Sequence, residues 1–252
     1  MSGHEFKSYF PESGEIDMSD TATNIDETTL AELRELASRY PQPRSALLPM
    51  LHLVQSVDGR VSPAGVRACA EILDITTAQV SGVATFYTMY RRRPAGKHHV
   101  GVCTTALCAV MGGDALLERV SDRLGIGPDE TTEDGTFSLE RIECNAACDF
   151  APVMMVNWEF MDNMDPSSAT QLVDDLRAGK EVRSTRGPRI CTWREAERVL
   201  AAASAPENKE AFKQQGTRAL ERGIFGSPSF IVGDELFWGD DRLEDALAHA
   251  TD

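Results

Sequence analysis

Four of the six cysteines form two pairs, Cys103-x4-Cys108 and Cys144-x3-Cys148. Thiolates are soft ligands, and four of them converging on one point suit a [2Fe-2S] cluster or a tetrahedral zinc ion. Spacing bears on the choice. Structural zinc ligands commonly come as C-x2-C knuckles, whereas these wider, unequal pairs suit a rhombic cluster whose two irons are each held by a separate pair. Ala106, Ala109, Ala146 and Ala147 flank the cysteines and are small enough to let backbone N–H groups approach the sulfurs, which would tune a potential. Plainer alternatives are four reduced core cysteines, since Cys is among the most buried residue types, and a catalytic thiol pair, whose usual C-x-x-C spacing neither pair has. Cys69, inside Ala68-Cys69-Ala70, reads as core, and Cys191 has no partner in sequence.

Each pair lies where a strand runs into a loop. His98 to Cys103 (HHVGVC) is apolar and β-branched enough for a strand. Gly113 to Leu124 carries Leu116, Leu117, Val120 and Leu124 on one helical face, and Thr136 to Cys144 alternates as a second strand. A third strand, Val153 to Asn157, and a helix opened by Asp165-Pro166 follow. Strand, helix, strand, strand, helix is an α/β sandwich whose first crossover implies a parallel pair, so the two cysteine-bearing strand ends can lie side by side. This domain is expected over residues 95–180. Upstream, residues 26–94 read as a helical bundle: Asp26 caps a helix with Leu30, Leu33, Leu36 and Ala37 on one face, Ser45 to Val57 forms a second, Ser62-Pro63 opens a third and Thr76 caps a fourth. Residues 1–25 are polar and without period, the composition of a mobile leader. Residues 181–252 form an extension with helices expected at Thr192 to Ala203 and Asn208 to Arg222. Two short strands about a Gly233-Asp234 turn and a last short helix complete it.

Composition narrows the function classes. Forty acidic against twenty-five basic residues in 252 leave a net charge of -15, which repels phosphate backbones and anionic lipid surfaces. Nucleic acid and direct membrane contact are therefore not expected. No apolar stretch approaches the roughly 18 residues of a membrane span, and the N-terminus lacks a signal-peptide layout. A cytoplasmic protein is expected, where thiols stay reduced and six cysteines do not make a disulfide framework. Gly112-Gly113 is too short a signal for a phosphate-binding loop, so the chain itself is not expected to bind NADH or FMN.

Four segments carry a resemblance: SALLPMLHLVQ, the helix ending VATFYTMY, the ligand loop VGVCTTALCAVMGG, and IECNAACDFAPVMMVN. From about Ser45 to Ala201 the chain closely resembles the NuoE-type subunit of respiratory complex I, the NADH-quinone oxidoreductase, in its actinobacterial form. The resemblance implies an α/β chain with an N-terminal helical bundle, a thioredoxin-like [2Fe-2S] domain and a C-terminal extension. It also implies one cluster on Cys103, Cys108, Cys144 and Cys148, and no catalysis by the isolated chain. The implied partners are a subunit that binds FMN and NADH and a neighbouring iron–sulfur subunit, in a peripheral arm at the inner face of the cell membrane. Related subunits serve NAD-linked hydrogenases and formate dehydrogenases, which is the alternative assignment.

Thr85-Phe86-Tyr87 is by the same resemblance a signature near partner and cluster, although Phe86 is expected to pack in the core. Arg91-Arg92-Arg93 is a candidate docking strip or a solvated surface, and His98-His99 is ordinary strand sequence. From about Pro206 the tail resembles DsbA-like proteins of the 2-hydroxychromene-2-carboxylate isomerase and kappa glutathione transferase kind, with Ser227-Pro228 at the cis-proline position. It holds only the second half of that fold, without the strand and helix that bear the nucleophile. A docked appendage without glutathione-dependent isomerase or transferase activity is expected.

Overall fold

A computed structural model describes residues 22–187, 189–226 and 228–251. The expected leader therefore lies almost wholly outside the described residues, as does Ser227. The helices begin where side chains satisfy their first N–H groups. Asp26 accepts from the Thr29 amide at 2.8 Å to open α1 (Glu27–Ser38). Ser62 caps α3 (Pro63–Leu73) with Pro63 in its first turn, and Thr76 and Gln79 form a reciprocal capping box on α4 (Thr77–Phe86). Between them α2 (Leu47–Asp58), entered through a 3-10 turn at Pro43–Ala46, ends on Gly59 at φ +74°. Leu33, Met50, Leu51, Val54, Val66 and Cys69 are completely or almost completely buried together, each large aliphatic side chain contributing about 1.5–3 kcal/mol of hydrophobic stabilisation. Helices α2 and α3 approach so closely that a Cβ at Gly65 would stand 2.3 Å from Val54 Cγ1.

The sheet has the order β2-β1-β3-β4, with β1 (His98–Cys103), β2 (Phe137–Ile142), β3 (Met154–Val156) and β4 (Glu159–Met161). Strands β1 and β2 are parallel, joined through α6 (Gly113–Leu124), and the remaining pairs are antiparallel. The side-chain alternation of a strand then sorts the two faces. Val100 and Val102 share a core with Leu116, Val120, Phe137, Leu139, Met154 and the inner face of α7 (Pro166–Arg177), while Cys103 packs with Ile142 and Met155 on the other side. A short helix, α5 (Ala106–Val110), and a 3-10 turn at Cys148–Phe150 occupy loops that showed no periodicity because they are too short for one.

The chain divides into two compact units, Met1–Ala202 and Ala203–Asp252, rather than at the residue 180/181 boundary read from the sequence. The reason is α8 (Trp193–Ala202), which packs on α2 and buries Trp193 and Glu197. Glu197, 0% exposed, accepts hydrogen bonds from His52 Nδ1 at 2.6 Å, Gln55 Nε2 at 2.7 Å and Trp158 Nε1 at 3.2 Å. It thus ties the bundle to the loop between β3 and β4. The second unit consists of α9 (Pro206–Glu221), an antiparallel pair β5 (Ser229–Val232) and β6 (Glu235–Trp238), and α10 (Leu243–Thr251). Phe237 and Ala246 are buried within it.

Candidate metal centre

Cys103 is the last residue of β1 and stands in register with Ile142, the last of β2. The two cysteine-bearing loops therefore leave the same edge of two adjacent parallel strands. Cys108 follows on α5, and the chain must then turn at once into α6. A Cβ at Gly113 would lie 2.6 Å from the Cys103 carbonyl oxygen and 2.8 Å from that of Cys108, and Gly112 has φ +107°. Both positions require glycine, so this pair shapes the first ligand loop and is no phosphate cradle.

The four thiols form two unlike pairs. Cys103 and Cys108 are buried with Ala147, Val153 and Met155, whereas Cys144 and Cys148 are exposed with their sulfurs 3.6 Å apart. The Ala146 amide donates to Cys144 Sγ at 3.4 Å from a backbone held at φ +54°, and Thr105 Oγ1 lies 3.2 Å from Cys103 Sγ. These contacts set the proton affinities apart. Burial pushes the Cys108 thiol up to about 11. The Ala146 N–H, then the Cys148 and Thr105 side chains, hold Cys144 below the ordinary thiol range, and the adjacent Cys144 raises Cys148. A metal centre would replace those protons, and a low-pKa, exposed thiolate at Cys144 offers the readiest first ligand.

This donor set fits an iron–sulfur cluster: four thiols in two pairs, small flanking residues and a backbone N–H already aimed at sulfur. Among the described residues no group of three or more His, Cys, Asp or Glu side chains is arranged to hold a single metal ion.

The remaining candidates lie elsewhere. Cys69 is fully buried in the bundle, its thiol pushed up to about 12 by burial. Cys191 is half-buried, with its carbonyl oxygen accepting from Asn157 Nδ2 at 2.6 Å. Phe86 is a correction: it is 77% exposed, its ring meeting only Tyr87 at 4.9 Å among the aromatic contacts described, because it ends α4 beyond the buried face of Val80 and Ala84.

The His98-His99 pair also holds more than an ordinary strand start. His99 is buried between Trp158 and Trp193, with ring centroids 5.7 and 5.1 Å away, and its Nε2 is 2.7 Å from Glu140. Arg91, the first residue of the arginine run, donates to Glu140 and to His99 Nε2 at 2.9 Å. It is therefore built into the interior of the unit rather than offered to a partner. Position-specific charge pairing across 49 residues leaves no local pattern, and only the alternation of His99 and Glu140 toward one sheet face hinted at it.

Residues 33–177 match the thioredoxin-like [2Fe-2S] ferredoxin family, and residues 192–250 match the DSBA-like thioredoxin domain. The NuoE-type chain of the Mycobacterium tuberculosis NADH-quinone oxidoreductase is 58% identical over 170 residues, covering 68% of this chain and 68% of that one. NADH-quinone oxidoreductase subunit 2 of Thermus thermophilus is 36% identical over 162 residues, 63% of this chain and 90% of that one. Among solved structures, a NAD+-reducing [NiFe]-hydrogenase in the H2-reduced state overlays with a TM-score of 0.49 at 18% identity, over 56% of this chain and 23% of that chain. The matched span of residues 33–177 takes in the bundle, the sheet and all four paired cysteines, and the chain belongs to the thioredoxin-like [2Fe-2S] ferredoxin family.

Proposed function

We propose that this chain is the electron-transfer component of the NADH-oxidising module of a respiratory complex I, carrying one [2Fe-2S] cluster on Cys103, Cys108, Cys144 and Cys148. The observation that carries this is the arrival of two thiol pairs at one edge of the sheet, from the ends of two parallel strands in register. When bound, the cluster supplies a one-electron acceptor and donor. The protein's own work is to hold it: Cys103 and Cys108 from the buried side, Cys144 and Cys148 from the exposed side, with the Ala146 amide and the Thr105 hydroxyl available to the sulfurs. FMN and NADH belong to the partner subunit in this reading, and a neighbouring iron–sulfur subunit is the second partner. The isolated chain then turns over no substrate. No helix among the described residues is long and apolar enough to cross a membrane, which suits a place in the peripheral arm at the cytoplasmic face.

The relatives' names and the 58% identity support complex I over the hydrogenase or formate dehydrogenase alternative. The direct test is anaerobic purification with absorption and paramagnetic resonance spectroscopy and iron and sulfide analysis. Two irons and two sulfides per chain are expected; one zinc and no sulfide would overturn the assignment.

The DSBA-like match in the tail favours a second reading, a glutathione-dependent isomerase or transferase. The tail lacks the half of that fold that would bear a nucleophile, and among the described residues no cysteine lies beyond Cys191. We therefore assign it no thiol chemistry. Calorimetry against glutathione is expected to show no saturable binding, and binding abolished by deletion of the tail would make the protein bifunctional.

A further inference from the structure

The segment after α7 reaches back to the second cysteine loop through one arginine. Arg186 donates from Nε and Nη2 to the two carboxylate oxygens of Asp162, both at 2.7 Å, a bidentate fork. Its guanidinium carbon also lies 4.9 Å from the ring centroid of Phe150 and 4.2 Å from that of Phe160, within cation–π range of both. Asp162 is well placed to be the anchor: its side chain is 7% exposed, and Arg186, foremost, with Thr185 holds its carboxyl below the usual carboxylate range. The Thr185 amide donates to the Phe160 carbonyl oxygen at 3.1 Å, which fixes the segment along β4.

Phe150 is the far end of this arrangement. It closes the 3-10 turn that starts at Cys148, its amide donating to the Ala147 carbonyl oxygen at 3.0 Å, and its own carbonyl oxygen accepts from the Asn163 amide at 2.8 Å. The Cys144–Cys148 loop is otherwise the exposed side of the site. We propose that Arg186 is a positioning residue for the cluster: by gripping Asp162 and covering the Phe150 ring, it fixes the turn that carries Cys148 and so the geometry of the exposed thiol pair. The inference rests on the reading that the four cysteines hold the cluster. Arg186 lies beyond the matched span of residues 33–177, and the requirement is for a planar fork, since lysine keeps the charge but neither pairs bidentately nor stacks flat on two rings.

The test uses the full chain reconstituted anaerobically with iron and sulfide, comparing Arg186→Lys, Arg186→Gln and Phe150→Leu. Both arginine variants are expected to lose the cluster to a ferrous-iron chelator at least threefold faster than the parent chain and to show altered g-values in the reduced state. The melting temperature of the metal-free chains should stay close to that of the parent, and Phe150→Leu should reproduce the change. Parent-like loss rates and g-values in Arg186→Lys, with a shifted potential in Arg186→Gln alone, would mean that only the charge matters and would overturn positioning. So would a lowered melting temperature with unaltered g-values. A parent chain that takes up no iron–sulfide cluster would instead overturn the underlying cluster reading and this inference with it.

Discussion

The unlike environments of the four thiols make their removal a sharp experiment. Serine at any of Cys103, Cys108, Cys144 or Cys148 should abolish or distort the absorption and resonance spectra of the cluster, while Cys69→Ser and Cys191→Ser leave them intact. Because a cluster ties two loops together, its loss should also lower the melting temperature. Asp149, next to Cys148 in the exposed turn, gives a second handle. One charge at about 10 Å contributes roughly 1.7 kcal/mol at an effective dielectric of about 20, equivalent to about 70 mV for one electron, and water and salt reduce this severalfold. Asp149→Asn should therefore raise the potential by on the order of 10–30 mV in a redox titration; no shift would mean full screening.

Among the elements, β1 and α8 hold the two buried polar devices on which stability should turn. His98 on β1 packs on Phe137 with ring centroids 5.5 Å apart and its Nδ1 buried without a hydrogen-bond partner, and burial foremost pushes its pKa down to about 4. Since the folded value lies below the ordinary 6.5, the unfolded chain binds more protons between these pH values. The stability due to the neutral ring is then complete above pH 6.5 and lost as pH falls through 4, by on the order of 2–3 kcal/mol. Denaturant unfolding across this range should show that slope, and His98→Phe should flatten it. On α8, Glu197→Ala strands three buried donors and should cost about 3 kcal/mol, or roughly 10 °C in melting temperature, with Glu197→Gln milder because an amide oxygen still accepts.

For the chain taken whole, the boundary at Ala202/Ala203 makes two truncations unequal. A chain ending at Ala202 keeps α8 with Glu197 and should retain the cluster spectrum, partner binding and a melting temperature within about 3 °C of the full chain, the shift that about 1 kcal/mol produces at this size. A chain ending at residue 180 loses Trp193, Glu197 and the Arg186 fork together and should melt at least 10 °C lower and hold the cluster poorly. Equal behaviour of the two would mean that α8 contributes nothing to the first unit.

The four candidate ligands, the caps at Asp26, Ser62 and Thr76, the strand His98–Cys103 and its parallel partner were all legible in the sequence, because each is written in local chemistry: thiol spacing, a capping oxygen, an alternation of period two. The pairing of α8 with α2 was not legible, and it moved the domain boundary. Glu197 reads locally as one more surface glutamate on an amphipathic helix, and its three donors come from residues 39 to 145 positions away. The exposure of Phe86 and the inward use of Arg91 were hidden for the same reason. A carboxylate, a guanidinium or an aromatic ring has no intrinsic place inside or outside. Whether its burial is compensated depends on the folded chain bringing distant donors and acceptors within about 3 Å of one another.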